Sequence, residues 1–112
     1  MKVMILHSQR TIVSTLNVAD GYFSRLRGLM FRKALNSGEG LLIKPCKQIH
    51  THFMRFPIDA IFMDHKNVVI HIEHGLRPWK ITAFYKQALS VLEVNQGCAV
   101  DINLGDALEI VK

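Results

Sequence analysis

At 112 residues with 49% hydrophobic side chains, the chain has the length and apolar content for one domain with a proper core. Fourteen Lys and Arg against nine Asp and Glu leave a net charge of +5, a balance that tolerates nucleic acid, anionic lipid or acidic ligands and selects none of them. The longest apolar run is far short of the roughly 18 residues that cross a bilayer, which excludes a transmembrane segment.

In chain order, residues 3–6 and 11–18 are β-branched and aliphatic around the polar His7-Ser8-Gln9-Arg10 and predict an opening hairpin. Asp20 is placed to cap a helix, along which Phe23, Leu26, Leu29 and Met30 recur at three- and four-residue spacing. Gly28 inside that helix predicts a close approach by another element, because glycine there costs about 1 kcal/mol relative to alanine. Asn36-Ser37-Gly38-Glu39-Gly40 ends it. The period then changes to two, with strands predicted at 41–43, 49–54, 58–63, 68–73 and 89–94. Asp64-His65-Lys66-Asn67 is turn chemistry and makes 58–63 and 68–73 antiparallel neighbours. Residues 75–85, with Pro78, Trp79 and Phe84, read as a long loop over an edge or a pocket. Residues 97–104 read as a turn or short helix, and Gly105-Asp106 introduces a last strand at 107–111. The fold class expected is α+β and β-rich: an antiparallel or mixed sheet or partly closed barrel, with one main helix in the first third. Residues 1–112 form a single domain with no internal repeat. Cys46 and Cys98 lie far apart with no secretory signal ahead of them, so a cytoplasmic location with both thiols reduced is expected.

No motif names a reaction, so candidate chemistry rests on where single polar residues fall. Strict alternation along 49–54 puts His50, His52 and Met54 on one side, a donor set suited to copper or, with Cys46, zinc. The paired spacing of a metal site is missing, so no metal and no cofactor are assigned. Asp59 shares its strand side with Ile61 and Met63, which predicts an inward carboxylate needing Arg55, Arg27, His50 or backbone donors. The simpler account of Asp59 is structural, either such a pairing or a hydrogen bond fixing the turn after Pro57. Glu93 lies in an apolar strand, and an edge position with a solvated carboxylate is the expected placement. If Glu93 and Asp59 converged, their environments would separate an acid from a base. Cys46 with His50 makes a nucleophile and base only if the two meet in space. Trp79, Phe84 and Tyr85 either form a platform for a ring-shaped ligand or finish the core.

Taken together, Arg27-Gly28-Leu29-Met30-Phe31-Arg32, Gly40-Leu41-Leu42-Ile43, the long run from Ile49 through Pro57 to Asp64, Val91-Leu92-Glu93 and Gly105-Asp106 resemble the prokaryotic family called domain of unknown function 192. The resemblance spans most of the chain. It implies a compact, mostly β domain with a helix in its first third, and it brings no activity with it. By position, the family's polar signature falls on Arg27, His50, Thr51, Asp59, Glu93 and Asp106, with Gly28, Met54 and Pro57 in backbone and packing roles. Where some relatives carry tryptophan or a small residue this chain has Phe53, which alters the shape of any pocket there.

Three readings follow. The first is a non-enzymatic ligand-binding or accessory domain that takes a small-molecule ligand in a polar recess lined by Arg27, His50, Thr51, Asp59 and Glu93. The second is a small hydrolase or metal-assisted enzyme using Asp59, Glu93 and His50. The third is weak nucleic-acid binding through Arg25, Arg32, Lys33 and the aromatic loop. It is disfavoured because the local concentration at Arg25, Arg27, Arg32 and Lys33 falls short of the dense basic stripe of a dedicated binder. The sequence specifies no oligomeric state.

Overall fold

Short aliphatic runs broken by turn residues build eight strands and one short helix in the computed structural model, which describes residues 1–112. In chain order these are β1 (Lys2–Ile5), β2 (Arg10–Val13), β3 (Thr15–Ala19), α1 (Tyr22–Arg27), β4 (Glu39–Ile43), β5 (Ile58–Met63), β6 (Val69–Leu76), β7 (Ser90–Asn95) and β8 (Leu108–Val111). They form two open sheets: a three-stranded sheet in the order β2-β1-β8 and a five-stranded sheet in the order β3-β4-β7-β5-β6. Only β3 and β4 pair in parallel, across the connection that carries α1. The fold is therefore β-rich α+β.

Strands β5 and β7 lie at the centre of the larger sheet, and every residue of β5 is buried, as is β7 from Ser90 to Val94. Alternation along each strand divides these residues between two cores. Ile61, Met63, Leu92 and Val94 pack with Leu42 and with Val3 and Ile5 of the small sheet. On the opposite face Ile58, Ala60, Phe62 and Val91 pack with Ile43, Leu29, Leu35 and Met54. The second core is closed by loops, with Leu29 and Leu35 contributed by the segment after α1, rather than by a sheet.

The expected hairpin at 58–63 and 68–73 is present as β5 and β6, with Ile61 opposite Ile72 and Phe62 opposite His71. Asp64 Oδ1 accepts the backbone N–H groups of Lys66 at 2.8 Å and Val68 at 3.0 Å. The bond from Val68 in particular holds the Asp64 carboxyl below its ordinary range.

The structure corrects several expectations. The run 11–18 is two strands, because the N–H groups of Ser14 and Thr15 both turn to the Gly38 carbonyl and the chain passes from one sheet to the other. The helix is short: Gly28 takes φ 49° and ψ −123° and ends it, so glycine is required there by the backbone. A Cβ at Gly28 would meet nothing nearer than 3.7 Å. Asp20 does not cap α1, whose N-cap is Gly21, with the Gly21 N–H donating to Ser24 Oγ at 3.0 Å. Finally, 49–54 is not a strand. A single bridge joins His50 to Ile81, the Met54 N–H bonds back to the Thr51 carbonyl, and Phe53 sits at φ 63°, so the alternation that would align His50, His52 and Met54 is broken by a turn.

Candidate ligand pocket beneath the short helix

Glu93 is the starting point, because its placement reverses the expectation of a solvated edge. β7 is flanked by β4 and β5, and Glu93 is buried on the face turned toward α1. Above it opens a pocket of about 480 Å³, inside the usual size range of small-molecule sites. Its walls come from the helix and its exit (Leu26, Gly28, Leu29), the end of β4 (Ile43) and the loop bearing Ile49 and Met54. Glu93 Oε1 is buried there without any hydrogen-bond partner. Burial alone pushes the carboxyl up to about 8, so at neutral pH it stands as an uncharged acid facing an apolar space.

Arg27 is exposed and lines the pocket. His50 also lines it, yet both of its ring nitrogens are committed. Nδ1 accepts the His52 N–H at 3.2 Å, which leaves the proton on Nε2, and Nε2 donates to the Leu26 carbonyl at 3.3 Å. His50 thus ties the last turn of α1 to the loop and is not a free base. Cys46 lines the same pocket. Its thiol donates to the Gln48 carbonyl at 3.2 Å and burial pushes it above its ordinary value, so no thiolate is held ready for His50 to activate.

Two of the sequence-predicted residues stand outside this pocket. Thr51 is fully buried and pins the loop behind it: Oγ1 donates to the Arg77 carbonyl at 2.6 Å and accepts the Lys80 N–H at 2.9 Å. Asp59 lies on the opposite face of the sheet. β5 and β7 pair with Ala60 opposite Glu93 and Asp59 opposite Val94, so one step of register puts the two carboxylates on different sides. Asp59 is itself satisfied, with Oδ1 accepting the Gly75 N–H at 2.8 Å and Oδ2 those of Gly97 at 2.9 Å and Ala99 at 3.0 Å. Asp106 accepts the Asn103 N–H at 2.9 Å in the turn before β8.

The structure therefore brings together Arg27, His50 and Glu93 and separates them from Thr51 and Asp59. The rings of His50 and His52 lie 5.1 Å apart at a tilt of 36°, and no group of three His, Cys, Asp or Glu side chains gathers to hold a metal. Arg32, one of the cations offered for nucleic acid, is engaged by Glu39 in a two-pronged pair at 2.6 and 2.9 Å. Phe84, from the aromatic loop expected over an edge or a pocket, does line this pocket, whereas the sequence did not point to Ile43 and Lys47. These two sit at a strand end and in a loop, and nothing local marks them. The one signal available was a lone acid in the middle of an apolar strand.

Comparison with known proteins matches this architecture. The family model for domain of unknown function 192, described as an uncharacterized ACR, matches residues 4–110. A UPF0127 protein of Pyrococcus abyssi is 33% identical over 102 residues, covering 84% of each chain. One from Pyrococcus furiosus is 32% identical over 96 residues, covering 81% of this chain and 82% of the relative. A crystal structure of a protein of unknown function from Novosphingobium aromaticivorans superposes with a TM-score of 0.81 at 24% identity, covering 98% of this chain and 84% of the other, which establishes a shared fold. The chain belongs to the domain of unknown function 192 family.

Proposed function

We propose that this chain is a non-enzymatic ligand-binding or accessory domain, and that its ligand is a small amphiphile with an apolar body and a hydrogen-bonding end group. The observation that carries this reading is the bare Glu93 carboxyl on the pocket floor. An unpartnered buried acid costs the fold on the order of a few kcal/mol, and packing gives no return for it. A bound end group that exchanges a hydrogen bond with the Glu93 carboxyl offsets that cost only in the complex. The apolar walls from Leu29, Ile43, Ile49 and Met54 bury the body, and Arg27 at the rim favours a ligand that is polar or anionic at its outer end. The paired-carboxylate reading has no such support, since Asp59 and Glu93 face opposite sides of one sheet.

A panel of hexylamine, hexanol and hexanoate, followed by methyl NMR shifts, tests the reading. Binding is expected to move the Ile43, Leu29 and Met54 methyl signals, with an order of preference that Glu93→Leu changes by roughly tenfold, about 1.4 kcal/mol. Silence at these methyls with all three probes, or an order that Glu93→Leu leaves intact, contradicts it.

A further inference from the structure

Charge and exposed apolar surface are distributed very unevenly around the pocket. Residues 20–36, 44–57 and 76–87 hold ten of the fourteen Lys and Arg but one of the nine Asp and Glu, leaving +9 on these segments and −4 on the rest. The same segments carry eight of the thirteen large hydrophobic residues that stay exposed. They meet in space. The Phe31 N–H bonds the Phe53 carbonyl at 3.0 Å, the rings of Phe31 and Phe53 lie 5.3 Å apart, and those of Phe53 and Trp79 lie 4.6 Å apart. Thr51 joins the 50s loop to Arg77 and Lys80, and His50 joins it to Leu26.

Folding alone gives no reason for this surface. No residue of α1 is buried, so Phe23, 80% exposed, is turned to solvent along with Tyr22 and Leu26. Phe31, Phe53 and Trp79 all occupy left-handed backbone, at φ 67°, 63° and 66°, a conformation that bulky side chains adopt at a cost. All three remain exposed, so core packing does not offset that cost. Around them stand Arg27, Arg55, Arg77 and Lys80, exposed and in no ion pair.

We infer that this face docks on an anionic lipid surface, with the α1 and loop aromatics entering the headgroup region and the four free cations meeting lipid phosphates. Trp, Tyr and Phe with flanking Arg and Lys are the side chains that settle at a membrane interface, and anionic headgroups complement the +9 segments. Single-stranded nucleic acid fits less well. Leu26 and Ile81 offer no ring to a base, and the Phe53 ring is packed between Phe31 and Trp79 at tilts of 34° and 60° instead of presenting an open face for stacking. The pocket mouth at Tyr22, Leu26 and Phe84 opens on this same face, although docking does not require the pocket to be filled.

Trp79 is the only tryptophan and reports directly on the contact. With vesicles of phosphatidylglycerol and phosphatidylcholine in a 3:7 mixture, Trp79 emission is expected to shift to the blue, to be quenched by brominated acyl chains, and to revert at high salt. Pure phosphatidylcholine vesicles are expected to give much weaker binding. The triple change Arg55→Gln, Arg77→Gln, Lys80→Gln is expected to weaken vesicle binding roughly a hundredfold, taking the usual contribution of a basic residue near an anionic surface. Phe23→Ser alters a solvent-facing side chain and is expected to weaken it severalfold, while Lys66→Gln with Lys112→Gln, outside the three segments, leaves it unchanged. Emission that ignores the anionic vesicles while the protein remains folded by circular dichroism overturns the inference. Equal loss on changing Lys66 and Lys112, or tight binding of a single-stranded oligonucleotide with none to vesicles, overturns it as well.

Discussion

Two buried carboxylates on neighbouring strands, one register step apart, have opposite fates. On the face toward the small sheet, Asp59 receives three backbone N–H groups within 3.0 Å and clasps the 97–99 turn to the end of β6. On the face toward α1, Glu93 has no partner and is raised to about 8 by burial. Both acids are hidden from water, but only Asp59 has its hydrogen bonds accounted for, so Asp59 has a place in the fold that Glu93 lacks. The face with the satisfied acid is closed by a second sheet, whereas the face with the bare acid is covered by loops and opens into a pocket lined by the exposed helix α1.

The comparison is broken most severely at Asp59. Asp59→Ala takes the acceptor away from three backbone donors, the buried Ala99 N–H among them, and is expected to cost about 4 kcal/mol in urea unfolding. A loss under about 1 kcal/mol would mean that the clasp does not hold the turn. On the other face the sign reverses: Glu93→Leu removes an unpaired acid and is expected to stabilise the fold by about 2 kcal/mol at pH 8. A destabilised Glu93→Leu protein would show that the acid is satisfied after all. Smaller still is Gly28→Ala. Its Cβ has room, so the cost is that of a positive-φ backbone that glycine alone adopts freely, about 1 to 3 kcal/mol, and a neutral result would remove the backbone reason for glycine above Glu93.

Linkage supplies a further contrast. Because the Glu93 pKa is higher in the folded protein than the ordinary 4.5, the folded state holds the extra proton between those values. Glu93 therefore lowers stability progressively as pH rises from about 4.5 through about 8, by at most about 5 kcal/mol, and its effect levels off above that. Melting temperatures of the wild type and Glu93→Gln are expected to diverge over this window, the variant falling less steeply.

Much of this was legible in the sequence. The Asp64-His65-Lys66-Asn67 turn fixed one hairpin, and the inward Asp59 with its need for donors was readable from strand alternation. That Asp59 and Glu93 face apart was not readable, because it depends on the pairing register of two strands about thirty residues apart. The 49–54 segment misled for a related reason. Its alternating pattern satisfies a strand, but the hydrogen bonds of Thr51 and His50 to Lys80 and Leu26 outweigh local preference. The helix was overextended because Phe23, Leu26, Leu29 and Met30 keep a helical spacing, although Gly28 has already turned the chain and Phe23 and Leu26 face solvent. Arg27, His50 and Glu93 were among the residues singled out from the sequence, but that they line one pocket and that both His50 nitrogens are committed required the fold.

The most direct test of the central claim is a ¹³C NMR titration of the Glu93 side-chain carboxyl in the full chain. A midpoint near 8 is the predicted result and identifies an unpartnered acid at the foot of the pocket. A midpoint near 4.5, the ordinary value for glutamate, would mean that the carboxyl is solvated or paired, and would contradict the account.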